Sequence, residues 1–198
     1  TSNINYRIIW GDNSTDFTSN SFASTSHLYA VGIYNLKFIV TGQNGCVDTT
    51  DYGVFVGSNP AVGLGNPGNT SICTGSSLTF PIFNTSQNTP GTIYTVTFND
   101  GSNSQTFNHP APASITHLFT KTSCGTTSGQ FANSFSASIT ASNPCFQSSA
   151  TVEPISVSDR PQPDIEVLPK DTVCVGVVQI RARLGSGKYV NGSNCDNG

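Results

Sequence analysis

Apolar and polar residues alternate along most of this chain with a period of two, the spacing that puts one side of a β-strand in a core and the other in water. Tyr34, Leu36, Phe38 and Val40 share one face of a strand predicted over 34–41. Strands are also predicted over 5–10, 46–56, 77–83, 92–98, 135–141, 150–157, 164–168 and 177–182, with a short edge strand near Phe17 or Phe22. Gln43-Asn44-Gly45, Asp100-Gly101 and Ser142-Asn143-Pro144 punctuate them as turns, because Asn and Gly accept the left-handed backbone that a tight hairpin needs. No stretch shows a helical period.

The pattern occurs twice. Ile8-Ile9-Trp10-Gly11-Asp12-Asn13-Ser14 leads to His27-Leu28-Tyr29, and Val96-Thr97-Phe98-Asn99-Asp100-Gly101-Ser102 leads to His117-Leu118-Phe119. Cys73-Thr74-Gly75 and Cys174-Val175-Gly176 each precede an alternating strand. One supersecondary unit repeated along a chain marks a tandem array. Pro60 and Pro67 with neighbouring glycines form one junction, and Pro161 and Pro163 a second. The reading is the C-terminal part of a β-sandwich over 1–57, a complete sandwich over 58–159, and the start of a third unit over 160–198. The first unit is read as lacking its opening strands, and the chain as a piece of something longer.

Trp-Gly-Asp-Asn, then His-x-Tyr, then Gly32-x-Tyr34 resembles the PKD family of Ig-like β-sandwich domains. The second copy is looser: Phe98 stands for Trp, Asn99 for Gly and Phe119 for Tyr, and its Gly-x-Tyr is lost in an insertion. The resemblance implies an all-β fold of tandem Ig-like sandwiches, with calcium bound in some members.

Composition narrows the function classes. Of 198 residues only 10% are charged, with a net charge of −3. No basic footprint favours nucleic acid or an anionic membrane. The apolar runs fall far short of the roughly 18 residues of a membrane-spanning helix. Six cysteines without a Cys-x-x-Cys pair argue against a zinc ribbon and for an oxidising, extracellular setting. Cys46 and Cys145 follow corresponding turns, and Cys73 and Cys174 precede corresponding strands. Repeat logic therefore pairs Cys73 with Cys145, with Cys124 able to capture either one. Cys46 and Cys174 would then have partners outside the chain.

The candidate sites each have a plainer reading. Asp12 and Asp100 are candidates for Ca²⁺, which prefers hard oxygen ligands, but aspartate is also an ordinary turn residue and no Asp-x-Asp-x-Asp run supplies a ligand set. His27 and His117 have no partnered nucleophile motif and read as structural. Asp159, Asp164, Glu166 and Asp171 form an acidic group at the second junction that either binds a cation or solvates an edge. The sequons at Asn13, Asn69, Asn84 and Asn191 are of a kind that arises by chance in an Asn/Ser/Thr-rich chain. Thr49 and Thr172, each after an aspartate, look like the O-glycan acceptors of Bacteroidota, and the Cys-x-Gly repeats resemble large surface adhesins of that phylum, gliding-motility adhesins among them. Tyr52, Phe55, Phe131 and Phe135 are the aromatics available for a polysaccharide-binding row.

The combined expectation is a non-enzymatic repeat segment of a bacterial cell-surface adhesin. It would act as a stalk, with neighbouring repeats as partners and surface or glycan contact as a further role. No cofactor is required, with Ca²⁺ the candidate ion. The alternative is an accessory spacer or polysaccharide-binding module of a secreted hydrolase.

Overall fold

The computed structural model of the chain describes residues 2–22, 24–159, 163–168, 176 and 179–184, all of its regular structure being strand. The first unit contributes β1 (Asn3–Ile9), β2 (Phe17–Ser19), β3 (Gly32–Gly42) and β4 (Val47–Val56). They form one antiparallel sheet in the order β2-β1-β3-β4. Ile8 opposes both Phe17 and Phe38, and Leu36 opposes Tyr52, so the apolar positions of all four strands share one face. Gly45, at φ +81°, closes the β3–β4 turn by donating to the Gly42 carbonyl. Phe22 lies outside any strand, 76% exposed, with its edge against Tyr6.

The second unit holds β5 (Gly63–Leu64), β6 (Ser71–Cys73), β7 (Ser76–Phe83), β8 (Ile93–Phe98), β9 (Gln105–Asn108), β10 (Ser114–Phe119), β11 (Thr127–Ser128), β12 (Phe131–Ala132), β13 (Phe135–Ser142) and β14 (Gln147–Ser158). Two sheets, β10-β7-β5 and β6-β14-β13-β8-β9, face each other, while β11 and β12 pair as a separate hairpin. Their alternation is regular: in β7 Leu78, Phe80 and Ile82 are buried between exposed neighbours, and in β13 Phe135, Ala137, Ile139 and Ala141 are buried between half-buried ones. Tyr94, Val96 and Phe98 of β8 complete the contact. This is an Ig-like β-sandwich in which inward side chains of both sheets interdigitate.

The strand order β9-β8-β13-β14 of the larger sheet repeats the order β2-β1-β3-β4 of the first unit. Phe98 extends the pairing of β8 with Ala137, as Trp10 follows β1 toward Leu36. The repeat read from the sequence is therefore a repeat of topology. Two further strands, β15 (Pro163–Leu168) and β16 (Gln179–Leu184), pair antiparallel with Ile165 opposite Ala182.

Between the first two units the chain is tied rather than slack. The Asn88 amide brackets Ala61, accepting from its N–H at 2.8 Å and donating to its carbonyl at 2.7 Å. Asn143 Nδ2 donates to the Ser58 carbonyl at 2.9 Å. A Cβ at Gly91 would stand 2.7 Å from Ile33 Cδ1 and 3.3 Å from Phe55 Cε2, so the first unit's apolar side chains rest on bare backbone of the second.

Candidate functional site

Each unit builds the same cluster where the chain turns at the end of a sheet strand, after β1 in the first and after β8 in the second. In the first, Gly11 leaves β1 at φ +84°, and its missing side chain lets the turn approach β3: a Cβ there would stand 2.4 Å from the Asn35 carbonyl oxygen. Asn13 takes φ +65°, a left-handed conformation that asparagine tolerates. This geometry turns Asp12 back on the chain. Its Oδ1 accepts from the Ser14 N–H at 3.0 Å and from the Ser14 hydroxyl at 2.5 Å, and its Oδ2 lies 2.7 Å from His27 Nε2.

The imidazole is clamped from two directions. It stacks on Trp10, centroids 4.4 Å apart and planes 9° from parallel, and meets the edge of Tyr29 at 4.7 Å and 83°. Tyr29 donates to the Trp10 carbonyl at 2.9 Å and stacks on Tyr34 at 4.7 Å. Tyr34 donates to the Ala30 carbonyl at 3.0 Å, and Gly32 leaves room for it, since a Cβ at Gly32 would meet the phenol oxygen at 2.8 Å. Each residue of the His-x-Tyr and Gly-x-Tyr pattern thus has a packing reason.

The second unit reproduces the cluster. Asp100 Oδ1 accepts from the Ser102 N–H at 2.9 Å and Oδ2 lies 2.7 Å from His117 Nε2. His117 stacks on Phe98 and meets Phe119 edge-on at 4.7 Å and 86°. Asn99 replaces Gly11 by another device: its Oδ1 accepts from the Ser136 N–H at 2.7 Å, tying the turn to β13 through a side chain. The sequence reading missed one member. Phe135 stacks on Phe119 at 5.9 Å, in the place that Tyr34 takes beside Tyr29. The insertion carrying β11 and β12 separates it from His117 and hid the correspondence; the signal that remains is an aromatic at the start of the next long strand.

Both carboxyls are shifted by these contacts. Hydrogen bonds from Ser14 and then His27 hold Asp12 far below the usual carboxylate range. Burial pushes Asp100 up, but the bonds from Ser102 and His117 outweigh it and hold Asp100 below its ordinary value. Burial, reinforced by the nearby Asp12 charge, raises the Tyr29 phenol.

Ser14, His27 and Asp12 carry the residue types of a hydrolytic triad but not its wiring. The Ser14 hydroxyl lies 3.4 Å from His27 Nε2, the same nitrogen that meets Asp12, and it donates to the aspartate. A triad requires acid and nucleophile on opposite ring nitrogens. As for Ca²⁺, at Asp12 the imidazole holds one oxygen and Ser14 the other. At Asp100 His117 and Ser102 do the same. Among the described residues no three His, Cys, Asp or Glu side chains gather as a ligand set.

The expected Cys73–Cys145 bridge is not formed: both thiols are free and exposed, as is Cys46. The repeat logic misplaced them. Cys145 sits in the turn that opens β14, whereas Cys73 pairs with Ser158 at the strand's far end. A run of that length spans about 40 Å at about 3.3 Å per residue, while a disulfide needs Cα atoms within about 7 Å. Cys124, the fourth cysteine among the described residues, is disulfide-bonded.

Thr49 is exposed on β4, where a glycan could reach it; Thr172 lies outside the described residues. So do Asp171 and the side chains of Asp164 and Glu166, the greater part of the acidic junction group. The aromatic row does not assemble: Phe135 is 2% exposed, Phe55 and Phe131 are half-buried, and Tyr52 alone of the four is open to solvent.

No family model and no curated protein matches the chain. Among solved structures it is similar to the fibronectin(III)-like modules of Clostridium thermocellum CbhA, at 18% identity over 79% of this chain and 80% of that one, with a TM-score of 0.37. It is also similar to the amphioxus IgVJ-C2 molecule, at 15% identity over 79% of this chain and 91% of that one, with a TM-score of 0.34.

Proposed function

We propose that this chain is a structural segment without catalytic activity, a run of Ig-like units serving as the stalk of a bacterial cell-surface adhesin. The observation that carries the reading is the duplicated cluster. In two successive units the residues that look chemically active, an aspartate and a histidine, are bonded to each other and wedged between aromatics, where they hold a strand to a turn. The tied junction at Asn88 and Gly91 supports a stalk, since a spacer transmits position only if its joints resist bending. The low-charge, Thr/Ser/Asn-rich surface fits an extracellular location, and the exposed Thr49 fits a glycosylated one. Surface attachment and gliding motility are the finer roles of this proposal.

Intact-mass and peptide sequencing of the parent polypeptide from its native source tests the reading. Further repeats of the Asp–His cluster leading to an anchoring or sorting segment would support it. A catalytic domain joined directly to these units would replace it with the accessory-module reading, and the ligand would then be sought among that enzyme's substrates.

A further inference from the structure

The Asn88 amide that holds Ala61 is itself held from inside the second unit. Ala61 fixes its orientation, donating its N–H to Oδ1 at 2.8 Å and accepting from Nδ2 at its carbonyl at 2.7 Å. The second proton of Nδ2 goes to the Tyr94 hydroxyl at 2.7 Å. Tyr94 is 0% exposed, so no bulk water serves that hydroxyl. Having accepted from Asn88, it donates to its other neighbour, His109 Nδ1, at 3.0 Å. A relay thus runs from Ala61 through Asn88 and Tyr94 to His109, each bond fixing the direction of the next. It is complete only while Nδ1 carries no proton.

The backbone makes the same connection. The His109 N–H donates to the Thr92 carbonyl at 2.9 Å. Thr92 Oγ1 in turn accepts at 3.4 Å from Asn143 Nδ2, the nitrogen that also holds the Ser58 carbonyl.

His109 is half-buried just past β9, at the end of the unit that meets the first unit. The segments gathered at this end, 58–62, 84–93, 107–114 and 142–147, contain no Asp, Glu, Lys or Arg. Their other titratable side chain is Cys145, whose thiol lies 3.6 Å from the Gly57 carbonyl. The charged side chains of the second unit, Asp100, Lys121, Glu153 and Asp159, stand toward the opposite end of β8 and β14. From the first unit the joint is faced by Ile33 and Phe55, and the nearest charge along β4 is Asp51.

We propose that His109 makes the joint between the first two units pH-sensitive: the neutral imidazole completes the relay that holds Ala61, and protonation releases it. An imidazolium carries a proton on each nitrogen. Nδ1 then presents a donor to a hydroxyl that already accepts from Asn88, and the phenol proton has no acceptor inside the core. A buried donor without a partner is costly. Opening removes the conflict, because Asn88 releases Ala61 and the imidazolium reaches water. With no carboxylate at this end of the unit, nothing compensates the charge while the joint stays closed. The joint is therefore stiff at neutral pH and slack in acid. It would switch in the same way beside a catalytic domain as in a stalk.

The test uses the full chain at pH 8 and pH 5, which bracket the titration of an ordinary imidazole. Hydrogen exchange at the Ala61 N–H, corrected for the intrinsic rate at each pH, reads the bracket directly. Its protection should fall at least tenfold at pH 5, while the amides of β13 keep theirs. Small-angle scattering should show a broader distribution of inter-unit distances at pH 5. In His109→Gln the side-chain oxygen accepts from the phenol and does not ionise, so protection should be the same at both pH values. Tyr94→Phe cuts the relay, and protection should again be indifferent to pH, at a lower level. His27 and His117 remain in both variants, so a tenfold loss that survives either substitution would overturn the proposal. So would equal protection, or an identical distance distribution, at the two pH values in the unaltered chain.

Discussion

His117 lies flat on Phe98, ring centroids 3.7 Å apart and planes 10° from parallel, while its Nε2 stands 2.7 Å from Asp100. The same side chain therefore completes an apolar core and hydrogen-bonds a nearly buried carboxylate. His27 does both against Trp10 and Asp12. Duplicate placement in two units ties the arrangement to folding.

Acid should weaken the second unit through Asp100. A carboxyl whose folded-state pKa lies below its unfolded value stabilises the fold fully above the unfolded value. The contribution disappears as pH falls through the folded one. Thermal melts from neutral pH downward should therefore be flat until about pH 4 and then decline. Asp100→Asn should start lower and decline less steeply. An unchanged acid slope in the variant would show that the aspartate is not the linked group.

Two glycines with nearly the same backbone angle should respond differently to alanine. At Gly45, φ +81°, no atom lies within 4 Å of the new Cβ, so Gly45→Ala should cost only the left-handed backbone penalty, about 1–2 kcal/mol. Gly11→Ala adds a Cβ 2.4 Å from the Asn35 carbonyl oxygen and should cost clearly more, with loss of the Trp10 fluorescence signature. Urea unfolding of the two variants side by side checks the order.

Cys46, Cys73 and Cys145 should react with a thiol reagent in the native protein, and Cys124 should not. Cys73→Ser and Cys145→Ser should leave the melting temperature unchanged, singly and together. A drop of several degrees in either would restore a structural bridge.

Gly91→Val should loosen the first junction without unfolding either unit, because its side chain displaces Ile33 and Phe55 from the second unit's backbone. Small-angle scattering should then show a broader distribution of inter-unit distances. An unaltered profile would mean that Asn88 and Asn143 hold the joint unaided.

The strands and turns were legible because alternation of apolar residues is a local property: β3, β7, β8 and β13 follow directly from it. The Asp–His pairing was half legible. The repeat exposed both residues, but only the fold shows Asp12 and His27 in contact across 15 positions, and Asp100 and His117 across 17. Phe135 was missed because an insertion broke the spacing, and β11 and β12 because two-residue strands leave no period. The cysteine pairing went wrong because equivalence between repeats says which positions correspond, not which are close. In an antiparallel sandwich the two ends of β14 correspond to opposite poles of the unit.

In each unit the Asp–His pair clips a strand to a turn. A double-mutant cycle on Asp100→Asn and His117→Gln, measured by urea unfolding with calcium and then with chelator, tests it most directly. The expected coupling is about 1–3 kcal/mol, in the range of interactions between residues in contact, and the same in both solutions. Additive single mutants, or a stability that rises with calcium and falls with chelator, would contradict the clip and return Asp100 to a cation.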